Sequence, residues 1–418
     1  MKKDKESKKS KANGELVLDE ITGDKTDLRL LKEQGITYPK SERKCLPSAR
    51  DKYHFSLISF LRTTIGKDLT KVPMPVFFNE PLSFLQRLTE DLEYANLLNK
   101  AADCECPVER LVYVSAFASS NYANVPGRFW KPFNPLLGET FEYHNQEHGY
   151  SVIAEQVSHH PPISAIHVES DKWIFWQEYK LDTRFRGVYV KVCPTGDVHL
   201  KFKSNDCHYS WKKPNTSIHN IVFGTLWVDH EGSVEIESHQ TKESAVVHFR
   251  NYKKVSKDYL KLTGSVTDKS GDVVYHLEGG WMEGLKAKPC EGTNRREIDM
   301  WIATPKPDDT AKYFGLTEFA MHLNEMNEDI NCPTDSRLRP DQRLLEEGNI
   351  DEAGAQKYRL EEKQRAARKK RENQRQSWTP RWFRLVTDPD TGSSSHVYNG
   401  GYWKAKVEKD FSACPDIY

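Results

Sequence analysis

Two adjacent histidines, His159 and His160, lie in the run EQVSHHPP at residues 155–162 and are followed by two prolines. Imidazole changes its charge near neutral pH, and a protonated ring offers two hydrogen-bond donors. The prolines restrict the backbone beside the rings. The pattern is suited to binding an anion such as a phosphate monoester, and an ordinary surface or core role for two histidines is the alternative.

A second candidate for ligand binding is the run KPFNPLLGE at residues 131–139. Its two prolines rigidify a turn that could hold the ammonium of Lys131 and the amide of Asn134 in fixed positions. Judged from these residues alone, an ordinary capping loop explains the run better than a binding site.

A third candidate lies in the highly charged helical segment that begins near residue 335. Lys357, Glu361 and Arg365 recur at i, i+4 and i+8, so they line one face of a helix. An intrahelical ladder of ion pairs explains this spacing equally well, and a solvated amphipathic helix is the usual structure of such a charge run.

The N-terminal third of the chain is predicted to be a tail followed by helices. Residues 1–36 contain many lysines and acids and few apolar groups, so we expect a flexible charged tail rather than a membrane-binding one. Residues 50–125 have mainly helical spacing, with one apolar face over 53–61 and another over 82–98.

The middle of the chain, residues 148–282, has the pattern of antiparallel strands. Apolar and polar residues alternate over 198–203, which is the period of a half-buried strand. Turn signals occur at 194–197, 229–232 and 268–271 between runs rich in β-forming residues. These features predict a long antiparallel meander that could curl into a barrel around a ligand.

Composition limits the possible partners and the compartment. Lys plus Arg and Asp plus Glu both number 61 in 418 residues, so no global field attracts nucleic acid. Eight scattered cysteines without a secretory leader argue against a disulfide framework and for a reduced, cytoplasmic compartment. No run of eighteen apolar residues occurs, so no membrane span is predicted.

Several motifs together resemble the oxysterol-binding-protein-related family of cytosolic lipid-transfer proteins, in the same order along the chain. The matching segments are KPFNPLLGE at 131–139, the His159–His160 run, HNIVFG at 219–224, RLRPD at 337–341 and CPDIY at 414–418. The resemblance covers about residues 45–418.

The resemblance implies an α+β, mainly β fold: a large, incomplete antiparallel β-barrel that encloses a hydrophobic lipid tunnel. An N-terminal helical lid and C-terminal helices would flank the barrel. It places the lipid-binding domain at 37–418, with the lid at about 50–75, the barrel at about 115–305 and the C-terminal helical region at about 310–418.

The resemblance also implies a function: extraction of phosphatidylinositol 4-phosphate and its exchange for a sterol between membranes. Phosphatidylserine as the exchanged lipid, or a lipid sensor that does not transfer, are the alternatives. The residues implied to bind the headgroup are Lys131, Asn134, His159, His160, Lys357, Glu361 and Arg365. The residues implied to shield the lipid in the lid are Leu69, Val72 and Met74.

An enzyme is the least favoured interpretation, because no G-x-S-x-G, H-E-x-x-H or P-loop pattern occurs. The run DPDTG at 388–392 departs from a calcium loop and predicts a turn. We therefore predict no catalytic residue, metal or cofactor. Expected partners are the two lipids and anionic membrane surfaces, contacted peripherally and transiently, and the sequence identifies no protein partner.

Overall fold

The fold is described from a computed structural model. The structure describes residues 30–31, 33–35, 41–50, 74–186, 189–220, 226–250 and 260–418. The helix predicted over 53–61 and the lid residues Leu69 and Val72 lie outside these residues.

One antiparallel sheet of 14 strands dominates the molecule, and a two-stranded parallel pair, β1 with β2, lies beside it. The sheet starts at β3 and ends at β16, and these two strands are the ends of the pairing order, so the barrel is incomplete, as predicted. The strands are β1 (Asn79–Ser83), β2 (Lys131–Phe133), β3 (Thr140–Asn145), β4 (Tyr150–His159), β5 (Pro162–Ser170), β6 (Trp173–Phe185), β7 (Tyr189–Pro194), β8 (Asp197–Phe202), β9 (His208–Lys212), β10 (Asn215–His219), β11 (Trp227–Ser238), β12 (Ser244–Phe249), β13 (Lys261–Thr267), β14 (Val273–Gly280), β15 (Gly284–Pro289), β16 (Ile298–Ile302), β17 (Phe383–Thr387) and β18 (Ser394–Tyr398).

The sheet forks in the middle because two long strands each pair with different neighbours along their length. Strand β6 pairs with β8 near its start and with β7 near its end. Strand β11 pairs with β10 up to Glu231 and with β12 from Gly232 onward. The turn predicted at 229–232 is therefore wrong: Gly232, at φ +104°, lets the strand change partners without ending. The turn predicted at 268–271 is confirmed between β13 and β14.

Helices pack against the sheet and flank it. They are α1 (Phe84–Thr89), α2 (Asn96–Asp103), α3 (Pro107–Ser120), α4 (Glu318–His322), α5 (Pro340–Glu346), α6 (Ile350–Asn373) and α7 (Tyr402–Glu408). Helix α3 is almost wholly buried and packs against β11, β12, β13, β15 and β16. Among the described helices, none combines the length and apolarity that crossing a bilayer requires.

The helical spacing predicted over 82–98 is interrupted in the structure. A 3₁₀ turn at Glu90–Leu92 separates α1 from α2. At this turn the carboxylate of Glu90 is 2.5 Å from Arg128, and Asp91 pairs with Lys213, so both acids point into the protein. Burying them is tolerable because each has a cationic partner.

The C-terminal region predicted as helical also contains the β17–β18 hairpin, which packs on the outer face of β5 and β6. The hairpin changes the burial of β8. Its residues Val198, Leu200 and Phe202 are buried as predicted, but His199 and Lys201 on the other face are buried as well. The half-buried pattern expected for 198–203 holds at Lys203, which is exposed. It is wrong at His199, which lies beneath Asp388 of the hairpin turn, and at Lys201, which pairs with Asp206.

Candidate functional site

The histidine pair lies at the tip of the β4–β5 hairpin, where His159 is opposite Pro162 in the register. The two ring centroids are 4.7 Å apart, with His159 half-buried and His160 exposed. Burial, reinforced by the neighbouring His160 ring, lowers the pKa of His159 to about 4. His159 is therefore neutral at pH 7 and gains a charge only when an anion raises its pKa.

Gln364 on α6 connects the histidine pair to the loop after β2. Its amide nitrogen is 2.8 Å from Nε2 of His159, and its amide oxygen accepts a hydrogen bond from the Leu137 backbone N–H at 2.8 Å. Sequence reasoning missed Gln364. The signal was available, because Gln364 lies at i+7 from Lys357 and so belongs to the same helix face.

The predicted row on α6 forms the ladder of ion pairs that its spacing allowed. Lys357 pairs with Glu361, whose second oxygen is 3.7 Å from Arg365, and Arg365 also pairs with Glu362. The Lys357 side chain is 13% exposed and that of Arg365 is 55% exposed. Lys357 thus lies deeper in the protein than Arg365.

Lys131 joins this row from β2. The amide of Asn79 on β1 donates to the Lys131 carbonyl at 3.2 Å, which positions the strand. Desolvation and then the charge of Lys357 lower the pKa of Lys131, and Glu361 opposes this. Lys131, Lys357 and Glu361 are therefore close enough to interact electrostatically, and a bound anion would relieve the repulsion between the two ammonium groups.

Asn134 lies exposed in the loop that follows β2, and a buried arginine holds this loop in place. Arg339 donates to the Asn134 carbonyl at 2.8 Å and to the Glu139 carboxylate at 2.9 Å. The same Glu139 oxygen accepts from the Leu136 N–H at 2.9 Å. Asp341 pairs with Arg339 at 2.7 Å, so the RLRPD motif supports the loop and does not itself face the site.

The C-terminal CPDIY motif fastens α6 to the same region. Lys363 donates to Asp416 at 2.6 Å and to the Tyr418 carbonyl at 2.5 Å. The Tyr418 hydroxyl donates to the backbone carbonyls of Thr334 and Asp335, each at 3.0 Å. These bonds hold the helix that carries Lys357, Glu361, Gln364 and Arg365 against the sheet.

An open cleft of about 270 Å³ lies between residues 74–77, at the end of the predicted lid, and the first turns of α6. Met74, which is 37% exposed, contributes to its wall. The cleft has both apolar and charged walls, which is the lining expected for an amphipathic ligand. Its lining is Met74, Pro75, Val76, Phe77, Ile350, Asp351, Gly354, Lys357, Tyr358 and Glu361.

The chain belongs to the oxysterol-binding protein family. The sequence model of the family described as Oxysterol-binding protein matches residues 56–407. Oxysterol-binding protein 2 of Mus musculus is 41% identical over 91% of this chain and 45% of its own length. Oxysterol-binding protein homolog 2 of Saccharomyces cerevisiae is 40% identical over 93% of this chain and 32% of its own length. The chain therefore spans less than half of these curated relatives.

Solved structures of related domains have the same fold. The Osh1 ORD domain in complex with ergosterol has a TM-score of 0.85 and 38% identity, and the match covers 94% of this chain and 99% of that chain. The Osh3 ORD of Saccharomyces cerevisiae in complex with PI(4)P has a TM-score of 0.79 and 31% identity, over 90% of this chain and 99% of that chain. The predicted fold, mainly β with a large antiparallel sheet, is confirmed.

Proposed function

We propose that this chain binds phosphatidylinositol 4-phosphate and a sterol and exchanges one for the other between membranes. The observation that carries the proposal is the cleft beside α6, where Met74 and Val76 lie across from Lys357 and Glu361. A lipid with a charged headgroup needs an apolar wall for its hydrocarbon part and a charged wall for its headgroup. The solved relatives bound to ergosterol and to PI(4)P support the same pair of ligands for this chain.

In this proposal the headgroup lies between the hairpin tip and α6. His159, His160 and Arg365 bind the 4-phosphate, because protonated rings and a guanidinium form charge-assisted hydrogen bonds with phosphate oxygens. Lys131 and Lys357 lie beside Glu361, which accepts hydrogen bonds from hydroxyls of the inositol ring. Asn134 contributes amide contacts from the exposed loop.

The apolar part of either lipid lies in a tunnel inside the barrel, shielded by a lid that includes Leu69, Val72 and Met74. Removing apolar lipid surface from water contributes about 25 cal/mol per Å², so a closed lid supplies a large part of the free energy of extraction. We place this activity in the cytoplasm, with transient binding to anionic membrane surfaces.

The first test is the double substitution His159→Ala with His160→Ala. It removes charge-assisted bonds of about 1.5–3 kcal/mol each, so extraction of phosphatidylinositol 4-phosphate from liposomes should fall more than about tenfold. Sterol extraction and the circular dichroism spectrum should stay unchanged. A matched control replaces His248 and His276, two exposed histidines on β12 and β14, by alanine and should extract both lipids normally.

The second measurement follows transfer between donor and acceptor liposomes that carry phosphatidylinositol 4-phosphate, a sterol or phosphatidylserine. Net counter-transport of the phosphoinositide and the sterol is the expected outcome. Binding without net transfer would identify a lipid sensor. Transport of phosphatidylserine in place of the sterol would mean that phosphatidylserine is the exchanged lipid. Unchanged phosphoinositide extraction by a folded histidine double variant would contradict the proposed site.

A further inference from the structure

Three polar side chains converge beneath the C-terminal hairpin, on the outer face of the sheet. They are His199 of β8, His208 of β9 and Asp388, which follows β17, and all three are buried. Nδ1 of His199 is 3.0 Å from Nε2 of His208 and 4.0 Å from Oδ2 of Asp388. The cluster combines two strands of the sheet with a turn about 180 residues further along the chain.

The orientation of His208 leaves a nitrogen lone pair directed into the cluster. Its Nδ1 is 2.7 Å from Oδ2 of Asp390, a carboxylate that can only accept a hydrogen bond when ionised. In the neutral ring the proton is therefore on Nδ1, and Nε2 accepts a hydrogen bond from Nδ1–H of His199. A metal ion bound by both nitrogens would replace that proton. Histidines that bind metals commonly donate their other ring N–H to a carboxylate in this way.

The carboxylate of Asp388 is held by one oxygen only. Its Oδ1 accepts from the backbone N–H groups of Asp390 and Thr391, at 3.0 and 2.9 Å, which fixes the carboxylate in the turn. Its Oδ2 is buried and has no hydrogen-bond partner in the described part of the chain. Leaving a buried charged oxygen unpaired is costly, and the 4.0 Å to His199 exceeds hydrogen-bond distance.

We propose that His199, His208 and Asp388 form a binding site for a divalent transition-metal ion of the Zn²⁺ class. Two imidazole nitrogens and one carboxylate oxygen are donors that Zn²⁺ accepts, whereas Ca²⁺ and Mg²⁺ prefer oxygen ligands. Metal–ligand bonds of about 2.0–2.2 Å in a tetrahedron place neighbouring ligand atoms about 3.3–3.6 Å apart. Two of the observed separations are 3.0 and 4.0 Å, and all three ligand atoms lie within 4.8 Å of one another, so a bound ion would draw Asp388 closer to the histidines.

The packing of His199 agrees with this site. The ring of Trp176 stacks on it with centroids 4.9 Å apart and an interplanar angle of 3°. The bound ion would join β8 and β9 to the β17–β18 hairpin and so fasten the C-terminal segment to the sheet.

The site differs from the sequence-based expectation of no metal. The run at 388–392 does form the predicted turn, and Gly392 donates back to the Asp388 carbonyl at 2.8 Å. The histidines that complete the site are far away in the sequence, and their spacing of nine residues on two separate strands resembles no common zinc motif. Only the packing of the hairpin on the sheet brings the donors together.

The test titrates the untagged full chain, freed of metal with a chelator, with Zn²⁺ in a calorimeter and with Co²⁺ in an absorption spectrometer. One equivalent should bind, with Co²⁺ showing visible bands of a four- or five-coordinate site, and Zn²⁺ should raise the melting temperature. Asp388→Asn and His208→Gln should each weaken binding by at least about tenfold. Asp390→Asn, which changes a positioning residue, should weaken it by about 10- to 100-fold with unchanged stoichiometry.

The matched control is Asp268→Asn. Asp268 accepts from the backbone N–H groups of Ser270 and Asp272, at 2.8 and 3.2 Å, in the β13–β14 turn, but the metal-binding cluster does not include it. This variant should bind Zn²⁺ like the parent chain. The proposal is overturned if the parent binds no stoichiometric Zn²⁺, if Co²⁺ gives a purely octahedral spectrum, or if folded His208→Gln binds as tightly as Asp268→Asn.

Discussion

At the level of single residues, the fold changes the protonation state of His159. Burial keeps the ring neutral, with its pKa near 4, and Nε2 lies 2.8 Å from the amide nitrogen of Gln364, which donates to it. A phosphate that binds at Nε2 requires the ring to donate instead. Binding by a charged ring therefore needs a second proton, on Nε2, and a shift of the Gln364 amide.

This coupling predicts that phosphatidylinositol 4-phosphate binds with uptake of protons. The pKa of His159 rises from about 4 in the free protein when the anion binds, so affinity should increase as the pH falls from 7.5 to 6.5. Below this window the phosphate, whose second pKa is about 6, itself takes up a proton and opposes the effect. Calorimetry in buffers of different ionisation enthalpy measures the number of protons.

The matched variant for this measurement is His159→Gln with His160→Gln. It should bind weakly and without proton uptake by the protein. An equal number of protons taken up by the parent chain and by this variant would mean that other groups bind the proton.

At the level of elements, helix α6 carries two kinds of cation. Lys357 is largely buried and faces the cleft, whereas Lys369 and Lys370 are exposed near the end of the helix. Cations near an anionic surface contribute about 1 kcal/mol each through the surface potential. Lys357 should therefore act in headgroup binding, and Lys369 and Lys370 should act in association with the membrane.

We expect Lys357→Ala to weaken binding of a soluble, short-chain phosphoinositide, because the cation lies beside Lys131 and Glu361. The variant Lys369→Ala with Lys370→Ala should bind the soluble lipid normally and associate more slowly with anionic liposomes. Fluorescence titration and stopped-flow mixing measure the two steps. Equal loss of soluble-lipid affinity in both variants would contradict this division.

The loop that carries Asn134 depends on Gly138, which has φ +83°. A Cβ there would be 2.9 Å from the Trp378 ring and 3.2 Å from Pro415. At Gly149, which has φ +67°, an added Cβ would meet no atom within 4 Å. Comparing alanine substitutions at the two glycines therefore separates the cost of the left-handed backbone from the cost of crowding.

Gly149→Ala should lower the free energy of unfolding by about 1–2 kcal/mol, the cost of the left-handed backbone. Gly138→Ala should lower it by about 1–3 kcal/mol more, because Trp378 and Pro415 must also move. Urea denaturation measures both. Equal destabilisation by the two substitutions would mean that Trp378 and Pro415 move away from the added methyl group without a further loss of stability.

At the level of the whole molecule, the described cleft lies between residues 74–77 and helix α6. The cleft includes Met74 of the predicted lid and Lys357 of the proposed headgroup site. In the proposed function a single lid closes a single tunnel, which has room for one lipid at a time. Phosphatidylinositol 4-phosphate and the sterol should therefore exclude one another.

Preloading the chain with phosphatidylinositol 4-phosphate should block uptake of a fluorescent sterol competitively. His159→Ala with His160→Ala should relieve the block without changing sterol affinity. By linkage each lipid lowers the apparent affinity of the other by the same factor. A complex holding both lipids on one chain in native mass spectrometry would contradict a shared tunnel.

The sequence by itself determined the family, the mainly β fold and the helix face that carries Lys357, Glu361 and Arg365. These features depend on short motifs and on local periodicity, which are visible within a few residues of chain. The leucines of the 82–98 segment, including Leu85 and Leu88, are buried as their spacing indicated.

Only the tertiary structure decided which distant groups meet. Gln364 reaches His159 across 205 residues, and the β17–β18 hairpin buries His199 beneath Asp388. Strand β11 continues through Gly232, where the sequence predicted a turn. Hydrogen bonds to β10 on one side of this residue and to β12 on the other outweigh the local preference of glycine for a turn. Hydrogen bonds and burial between distant segments are set by packing, and their energies outweigh the local propensities that a sequence pattern reports.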